Sequence, residues 1–286
     1  MGKVKTILFI LISLWVIALI TSWFVDAPRF SPVIAIIPLE GMIHGGTASF
    51  FGTGGTSSLD FIAQLEKAAE DSAVKGIIVQ INSPGGTVVA SKEIADAIKA
   101  VDKPTVAWIR EAGTSGAYWV ATASDAIVAD PLSLTGSIGV TSSYLSFGEL
   151  LEQYNVTYER LVTGKYKDLA TPFKELTEEE RALLEKKLFE IHDYFVAEVA
   201  RNRNLPEEQV RALATGEFFL GQEALPLGLV DYLGGKAVAL NVTQQLANIT
   251  GAEEEVYVEK ETWLRVLSRL QSKKNFAAKD LQVFAQ

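Results

Sequence analysis

Two glycine-rich turns in the sequence carry the residue types that nucleophilic catalysis needs. Residues 82–86 (NSPGG) follow an apolar run at 76–81, and residues 113–117 (GTSGA) follow another at 105–109. Ser115 therefore lies at a predicted strand-to-helix turn, where a serine is exposed near the positive end of a helix. Glycines in the other turn let backbone N–H groups approach a ligand. Either turn alone is typical of an ordinary α/β protein, but together they predict a nucleophile and an oxyanion donor.

A nucleophilic serine also needs a base. His44 lies in a glycine-rich region and His192 lies within a predicted long helix, where a structural or surface role is the better interpretation. Lysine can act as the base when burial or a neighbouring cation lowers its pKa from about 10.4. The segment 164–168 (GKYKD) offers Lys165 and Lys167, and the residues alone do not choose between them or exclude a solvated basic turn.

Five segments jointly resemble the short form of signal peptide peptidase A, in the order found in that family. They are NSPGG (82–86), GTSGAYW (113–119), PLSLTGSIGV (131–140), GKYKDLATPF (164–173) and GQEALPLGLVDYLGG (221–235). The resemblance covers most of residues 33–240. It implies an α/β fold of the Clp-protease/crotonase type, with repeated β-β-α units preceded by one N-terminal transmembrane helix.

The resemblance also implies a role for individual residues. Ser115 matches the nucleophile and Lys167 the general base. Gly85 and Gly116 match the backbone donors of the oxyanion hole, and Ser137 matches the serine that hydrogen-bonds the lysine.

The proteolytic subunit of Clp protease shares both turns but uses a Ser-His-Asp triad. The position of its histidine corresponds here to Val140, and no histidine lies near it. This difference favours a Ser–Lys dyad.

The implied reaction is peptide-bond hydrolysis through an acyl-enzyme, without a metal or other cofactor. The implied substrates are apolar signal-peptide remnants in the membrane, and the implied assembly is a homo-oligomeric ring whose neighbouring subunits complete each active site. Two alternatives stay open. One is another membrane-anchored Ser–Lys protease of the same fold that acts on a membrane-protein partner. The other is a non-catalytic scaffold or an acyl-CoA-binding crotonase relative.

The pattern of apolar residues predicts how the chain positions these turns. Strands are predicted at 33–37, 76–81, 105–109 and 126–129, and helices at 60–69, 88–100 and 177–203. Thr177 and Glu180 form a capping-box pattern at the start of the last helix. Alternating strands and helices favour βαβ units with mostly parallel pairing, and the glycine-rich stretch 41–58 is predicted to be a mobile loop.

Composition excludes several classes of protein. The chain has 286 residues, 48% of them hydrophobic, and a formal net charge of -9, which argues against nucleic acid as a partner. It contains no cysteine, so disulfides, a cysteine nucleophile and thiolate metal sites are excluded. Only two histidines are present, which argues against a zinc site.

The N-terminus carries a candidate membrane anchor. Residues 7–24 contain no charged side chain and would span about 27 Å as a helix. Lys3 and Lys5 precede this span, so the N-terminus is predicted to be cytoplasmic and the catalytic domain extracytoplasmic. A cleaved secretory signal is the alternative, but Thr21-Ser22-Trp23 matches a cleavage site poorly.

The predicted domain organisation has four parts. Residues 1–25 form the anchor, and 26–58 form a linker and glycine-rich loop that include the first strand. Residues 59–250 form the peptidase domain, and 251–286 form a tail with an amphipathic helix at 263–270 that contacts the domain, a neighbour or a membrane surface.

We predict that the anchor is retained, because the apolar span is longer than the corresponding region of a cleaved signal. N-terminal sequencing of the protein from native membranes should begin at Met1 or Gly2. A mature chain that begins near Asp26 would contradict this prediction.

Overall fold

The computed structural model describes residue 9 and residues 11–16, 31–46 and 55–258. Residue 9 and residues 11–16 are helical. Within the described ranges, no helix combines the length and apolar character needed to cross a bilayer. Most of the predicted anchor and all of the predicted amphipathic helix at 263–270 lie outside these ranges.

A mostly parallel sheet forms the centre of the described domain. Its eight strands include the path β10-β1-β4-β5-β6-β9, while β7 pairs with β5 and, in antiparallel fashion, with β8. Two further strands, β2 and β3, pair with each other in a separate sheet, and Ile43 of β2 also bridges to Gly86 in the turn after β4. The strands are β1 (Val33–Glu40), β2 (Met42–His44), β3 (Gly55–Ser57), β4 (Val74–Ser83), β5 (Thr105–Thr114), β6 (Ala126–Ala129), β7 (Leu134–Gly136), β8 (Phe218–Leu220), β9 (Tyr232–Leu233) and β10 (Glu253–Val256).

Helices connect the strands and cover both faces of the sheet. They are α1 (Ser58–Glu70), α2 (Val88–Lys99), α3 (Gly116–Thr122), α4 (Gly148–Gln153), α5 (Glu178–Arg203), α6 (Glu207–Leu213), α7 (Gly221–Ala224) and α8 (Lys236–Leu246). The alternation of β4, α2, β5, α3 and β6 confirms the predicted parallel βαβ order.

The side chains of β1 show why its sequence is apolar without interruption. Ala35 and Ile37 point into the larger core cluster, which includes residues of α1, α2, α3 and α5. Ile34 and Ile36 point into the smaller cluster, which includes residues of α8. A strand that is buried on both faces needs apolar residues at successive positions, and not only at alternate ones.

The predicted helix at 177–203 is confirmed, and its capping box is formed. The Thr177 hydroxyl accepts a hydrogen bond from the Glu180 N–H at 3.2 Å, and the Glu180 carboxylate accepts one from the Thr177 N–H at 3.0 Å. The C-terminal part of α5 is buried through Phe195 and Val199, whereas much of its N-terminal half is exposed. The helix thus has its C-terminal part in the core and most of its N-terminal half at the surface.

Two expectations need correction. The glycine-rich stretch 41–58 was expected to be a mobile loop, but its described part contains β2, β3 and the first residue of α1, while residues 47–54 lie outside the described ranges. The tail was expected to begin at residue 251, but β10 pairs with β1 from Val33 to Ile36 and so continues the central sheet. Tyr257 then donates a hydrogen bond from its hydroxyl to the Asp71 carboxylate at 2.9 Å.

Residues 141–177 form an arm that leaves the sheet after β7 and returns at α5. Much of the arm lacks regular structure, and most of its side chains are exposed. Several of those side chains are large and apolar, including Leu145 at 72% and Leu161 at 91% exposure. These are large apolar side chains that the arm exposes in the single chain.

Tyr118 anchors the helix that follows the candidate nucleophile. Its side chain is 0% exposed, and its hydroxyl donates a hydrogen bond to the Leu229 carbonyl at 2.8 Å. Burial raises the pKa of Tyr118 above its ordinary value, so the hydroxyl keeps its proton and remains a donor. The neighbouring Trp119 ring stacks on Phe195 of α5, with centroids 4.9 Å apart.

We predict that Tyr118→Phe lowers the free energy of unfolding by about 1–3 kcal/mol, because it leaves the buried Leu229 carbonyl without its donor. Urea unfolding followed by circular dichroism measures this change. Tyr154→Phe is the matched control, since Tyr154 is 71% exposed and should lose little stability. Equal stability of the two variants would contradict the anchoring role.

Candidate active site

Ser115 occupies a strained position between β5 and α3. Its backbone has φ 53° and ψ -126°, a conformation that residues other than glycine rarely adopt. The Ser115 N–H donates to the Gly136 carbonyl of β7 at 2.8 Å, and the Ser115 carbonyl accepts from the Trp119 N–H at 3.0 Å. The sharp turn thus presents the serine side chain at the carboxyl end of the sheet, as the sequence predicted.

The other glycine-rich turn lies against Ser115. A Cβ atom on Gly85 would be 2.8 Å from the Gly116 nitrogen and 3.0 Å from the Ser115 Cβ, and Gly85 has a φ of +100°. A Cβ on Gly86 would overlap the Ile43 carbonyl, and one on Gly116 would overlap the Ser91 hydroxyl. The approach of the two turns therefore requires glycine at Gly85, while contacts with β2 and α2 require it at Gly86 and Gly116.

The geometry changes the expected set of oxyanion donors. The Gly85 N–H donates to the Ser83 hydroxyl at 3.1 Å, so it is directed away from an oxyanion. The N–H groups of Gly86 and Gly116 have no hydrogen-bond partner among the described residues. Gly86 lines a small cavity together with Ser115 and Gly116, whereas Gly85 does not. This arrangement favours Gly86 over the expected Gly85 and keeps Gly116.

Ser137 lies beside Ser115 because of strand pairing. β7 pairs with β5 in a register that matches Gly136 with Thr114, so the next residues along both strands are neighbours. The Ser137 hydroxyl donates to the Gly216 carbonyl at 3.0 Å, and the Ser137 N–H donates to the Glu217 carbonyl at 2.9 Å. The backbone of Ser137 also has a positive φ, of 51°.

Two cavities meet at Ser115. The larger has a volume of about 670 Å³ and contains Ser137 in its wall. Its other lining residues come from the strand end after β7, from α5 and from the turn after α6; they are Gly139, Val140, Thr141, Glu185, Leu188, Phe189, His192, Ala214, Thr215 and Gly216. The smaller, of about 100 Å³, is bounded by α2, α3 and α5. An extended peptide could thus pass Ser115 with side chains in both cavities.

Lys167 is not brought to Ser115 within the described part of this chain. It lies in a turn on the arm, where its N–H donates to the Gly164 carbonyl at 3.1 Å, and its side chain is exposed. Neither cavity at Ser115 has Lys167 among its described lining residues. The next residue, Asp168, forms two hydrogen bonds with the Arg160 guanidinium, at 2.7 and 2.8 Å. These bonds hold the pKa of Asp168 below its ordinary value.

Lys165 has a different environment from Lys167. Its ammonium donates to the Glu179 carboxylate at 2.6 Å, and Glu179 also accepts a hydrogen bond from the Tyr166 hydroxyl. The hydrogen bond to Glu179 raises the pKa of Lys165 above its ordinary value. A lysine that holds its proton more firmly is less suited to act as a general base. The contact with Glu179 thus distinguishes Lys165 from Lys167 as a candidate base, which the residue types alone did not.

His192 was expected to be structural or at the surface, but it lines the larger cavity with Ser115. Its Nε2 atom lies 3.0 Å from the Ala214 carbonyl, so it carries the proton of that hydrogen bond. Glu185, Leu188, Phe189 and His192 share the cavity because they follow helical spacing on α5. That spacing was visible in the sequence, but nothing there showed that this face of the helix meets Ser115.

Comparison with known proteins relates this chain to proteases. The model of peptidase family S49 matches residues 97–250, which is more than half of the chain, and the Clp protease model matches residues 54–127. The chain is 36% identical over 195 residues to a protein of Methanocaldococcus jannaschii assigned as a protease, covering 68% of this chain and 63% of that one. It is 35% identical over 223 residues to a protein of Enterococcus faecium assigned as signal peptide peptidase SppA, covering 77% and 65%. The chain thus spans slightly less than two thirds of each relative.

Among solved structures, the 1510-N membrane-bound stomatin-specific protease has a similar fold. The TM-score is 0.53 at 13% identity, and the match covers 81% of this chain and all of that one. This likeness supports the Clp-protease-like α/β architecture and nothing finer. Together with the length of the S49 match and the strained serine that lies within it, the comparisons show that this chain belongs to peptidase family S49.

Proposed function

We propose that the chain is a membrane-anchored serine endopeptidase that hydrolyses remnant signal peptides after their release from preproteins. The observation that carries the proposal is the position of Ser115, which adopts a strained turn at the junction of two cavities. Beside it are two backbone N–H groups that have no partner in the described part of the chain. The relative named signal peptide peptidase SppA supports the substrate class. The alternative of a protease for a membrane-protein partner differs only in substrate.

The proposed reaction uses Ser115 as the nucleophile and Lys167 as the general base. The lysine amine takes the Ser115 proton while Oγ attacks the scissile carbonyl. The N–H groups of Gly86 and Gly116 stabilise the oxyanion of the tetrahedral intermediate. Collapse of the intermediate breaks the C–N bond, and the lysine returns the proton to the leaving amine. A water molecule, deprotonated by the same lysine, then hydrolyses the acyl-enzyme and releases Ser115.

We propose further that Lys167 serves the Ser115 of a neighbouring subunit in a homo-oligomeric ring. Lys167 is exposed on the arm and does not line the cavities beside its own Ser115. The arm also exposes large apolar side chains such as Leu145 and Leu161, which a second copy could cover. Burial in such an interface is what a lysine base requires, because loss of solvent disfavours its charged form.

The larger cavity suits an apolar substrate. Val140, Leu188 and Phe189 contribute apolar surface to it, and Phe189 is 66% exposed in the single chain. A released signal peptide is rich in apolar residues and is confined to the membrane. An N-terminal anchor would keep the domain at that surface, which raises the local concentration of such a substrate.

We predict that Ser115→Ala and Lys167→Ala are each inactive and that mixing the two variants restores activity. If Ser115 and Lys167 come from different subunits, random reassembly at equal amounts makes about one quarter of the sites complete in a ring. The measurement is turnover of an apolar peptide by the full-length variants, unfolded and refolded together and compared with wild type.

The control for this experiment is a mixture of Ser115→Ala with the double variant, which contains no complete site and should stay inactive. Recovery of no activity in the first mixture, with normal assembly by light scattering, would show that both residues act within one subunit. If Lys167→Ala is itself active, the Ser–Lys dyad fails.

A second prediction concerns the residues around the dyad. Lys165→Ala should retain most activity, because Lys165 pairs with Glu179 and transfers no proton. Ser137→Ala should be intermediate, since it removes one orienting hydrogen bond that is worth about 1–3 kcal/mol. Turnover of the same peptide tests both, with circular dichroism to confirm folding. An inactive Lys165→Ala beside an active Lys167→Ala would reverse the assignment of the base.

Two measurements separate the remaining alternatives. A fluorophosphonate probe should label Ser115 in wild type and not in Ser115→Ala, whereas a scaffold without a reactive serine would stay unlabelled. Digestion of a peptide library then tests substrate class. Preference for apolar sequences of the signal-peptide type would support the proposal, while cleavage confined to one membrane-protein sequence would favour the alternative.

A further inference from the structure

His192 connects α5 to the segment Ala214 to Glu217, which lies between α6 and β8. The imidazole Nε2–H donates to the Ala214 carbonyl at 3.0 Å. Phe195 and Val196, in the next turn of α5, are buried in the core, so the histidine is held by a rigid part of the helix. The imidazole is thus a fixed donor beside an otherwise exposed stretch of backbone at Thr215 and Gly216.

That stretch of backbone forms hydrogen bonds with Ser137. The Gly216 carbonyl accepts from the Ser137 hydroxyl at 3.0 Å, and the Glu217 carbonyl accepts from the Ser137 N–H at 2.9 Å. The Gly216 N–H in turn donates to the Ile138 carbonyl at 3.1 Å. Two hydrogen bonds therefore fix Ser137, and a third fixes Ile138, to the residues two and three positions after the carbonyl that His192 holds.

The direction of the Ser137 hydroxyl matters for the proposed reaction. When the hydroxyl proton is donated to the Gly216 carbonyl, the oxygen lone pairs remain free to accept a hydrogen bond in the cavity that also contains Ser115. An accepting oxygen at that place orients an incoming lysine amine and leaves the nitrogen lone pair free for the Ser115 proton. If the segment shifts, the hydroxyl turns with it and this alignment is lost.

We propose that His192 is a positioning residue that acts on Ser137 through the backbone of Ala214 to Glu217. This inference rests on the proposed function, because it assigns His192 a part in aligning the lysine base. It requires a proton on Nε2, which both the neutral Nε2–H tautomer and the imidazolium supply. His192 touches neither reacting atom, so its loss should affect the chemical step more than the binding of the peptide.

The test compares three full-length variants. His192→Phe keeps a ring of similar size but has no donor, and it should lower kcat by about 10- to 100-fold with little change in KM. His192→Gln places an amide N–H near the position of Nε2, and it should recover kcat to within about threefold of wild type. Asp193→Asn is the matched control, since it breaks an exposed ion pair between α5 and α6, with Arg211, and should leave kcat unchanged.

Hydrogen exchange supplies a readout that does not depend on activity. Protection of the Ser137 and Gly216 amides should fall in His192→Phe and return in His192→Gln, even if the chain proved not to be a peptidase. Equal loss of kcat in both histidine variants, a rise in KM alone, or unchanged protection of these amides in His192→Phe would each overturn the proposal. Full activity of Ser137→Ala beside a low kcat in His192→Phe would also overturn it, since the effect would then not pass through Ser137.

Discussion

The close approach of two backbone turns is the constraint on which the site depends. The turn after β4 and the turn after β5 meet at a distance that leaves no room for a Cβ atom at Gly85, and contacts with β2 and α2 exclude one at Gly86 and Gly116. Parallel pairing of β4 with β5 brings the carboxyl ends of both strands to the same edge of the sheet. Burial of the sheet on both faces holds the two strands in place. Backbone packing thus places the proposed nucleophile and the proposed oxyanion donors side by side.

The sequence predicted most of the fold because its signals were local. An unbroken apolar run predicts a strand that is buried on both faces, and a capping box predicts the first residue of a helix such as α5. The short strands were different. β2 and β3 have three residues each within a glycine-rich stretch, and their pairing depends on the turn at Gly86, which bonds to the strand that contains Ile43. The acidic β10 gave no apolar signal, since only its contact with β1 makes it a strand.

The candidate site was also predictable only where its signals are local in the sequence. Ser115 follows from its turn and Ser137 from the family resemblance, but Gly85 and Gly86 are adjacent glycines that no pattern distinguishes. Only the contact of the Ser83 hydroxyl with the Gly85 N–H does so. The environment of Lys165 depends on Glu179, fourteen positions away, and that of His192 on Ala214, twenty-two positions away. Contacts between residues so far apart in the sequence depend on tertiary packing, which local periodicity does not predict.

Lys167 lies on an exposed arm, outside the cavities that contain Ser115. This position bears on when a newly synthesised chain becomes active. A protease must be synthesised without digesting its surroundings, and many solve this with a removable inhibitory segment. If the base is supplied by a neighbouring subunit, a newly made single chain has no base beside its own serine. It is then inactive, as a zymogen is, until it assembles. Its activation then depends on the local concentration of chains, and no covalent bond has to be cut to switch it on.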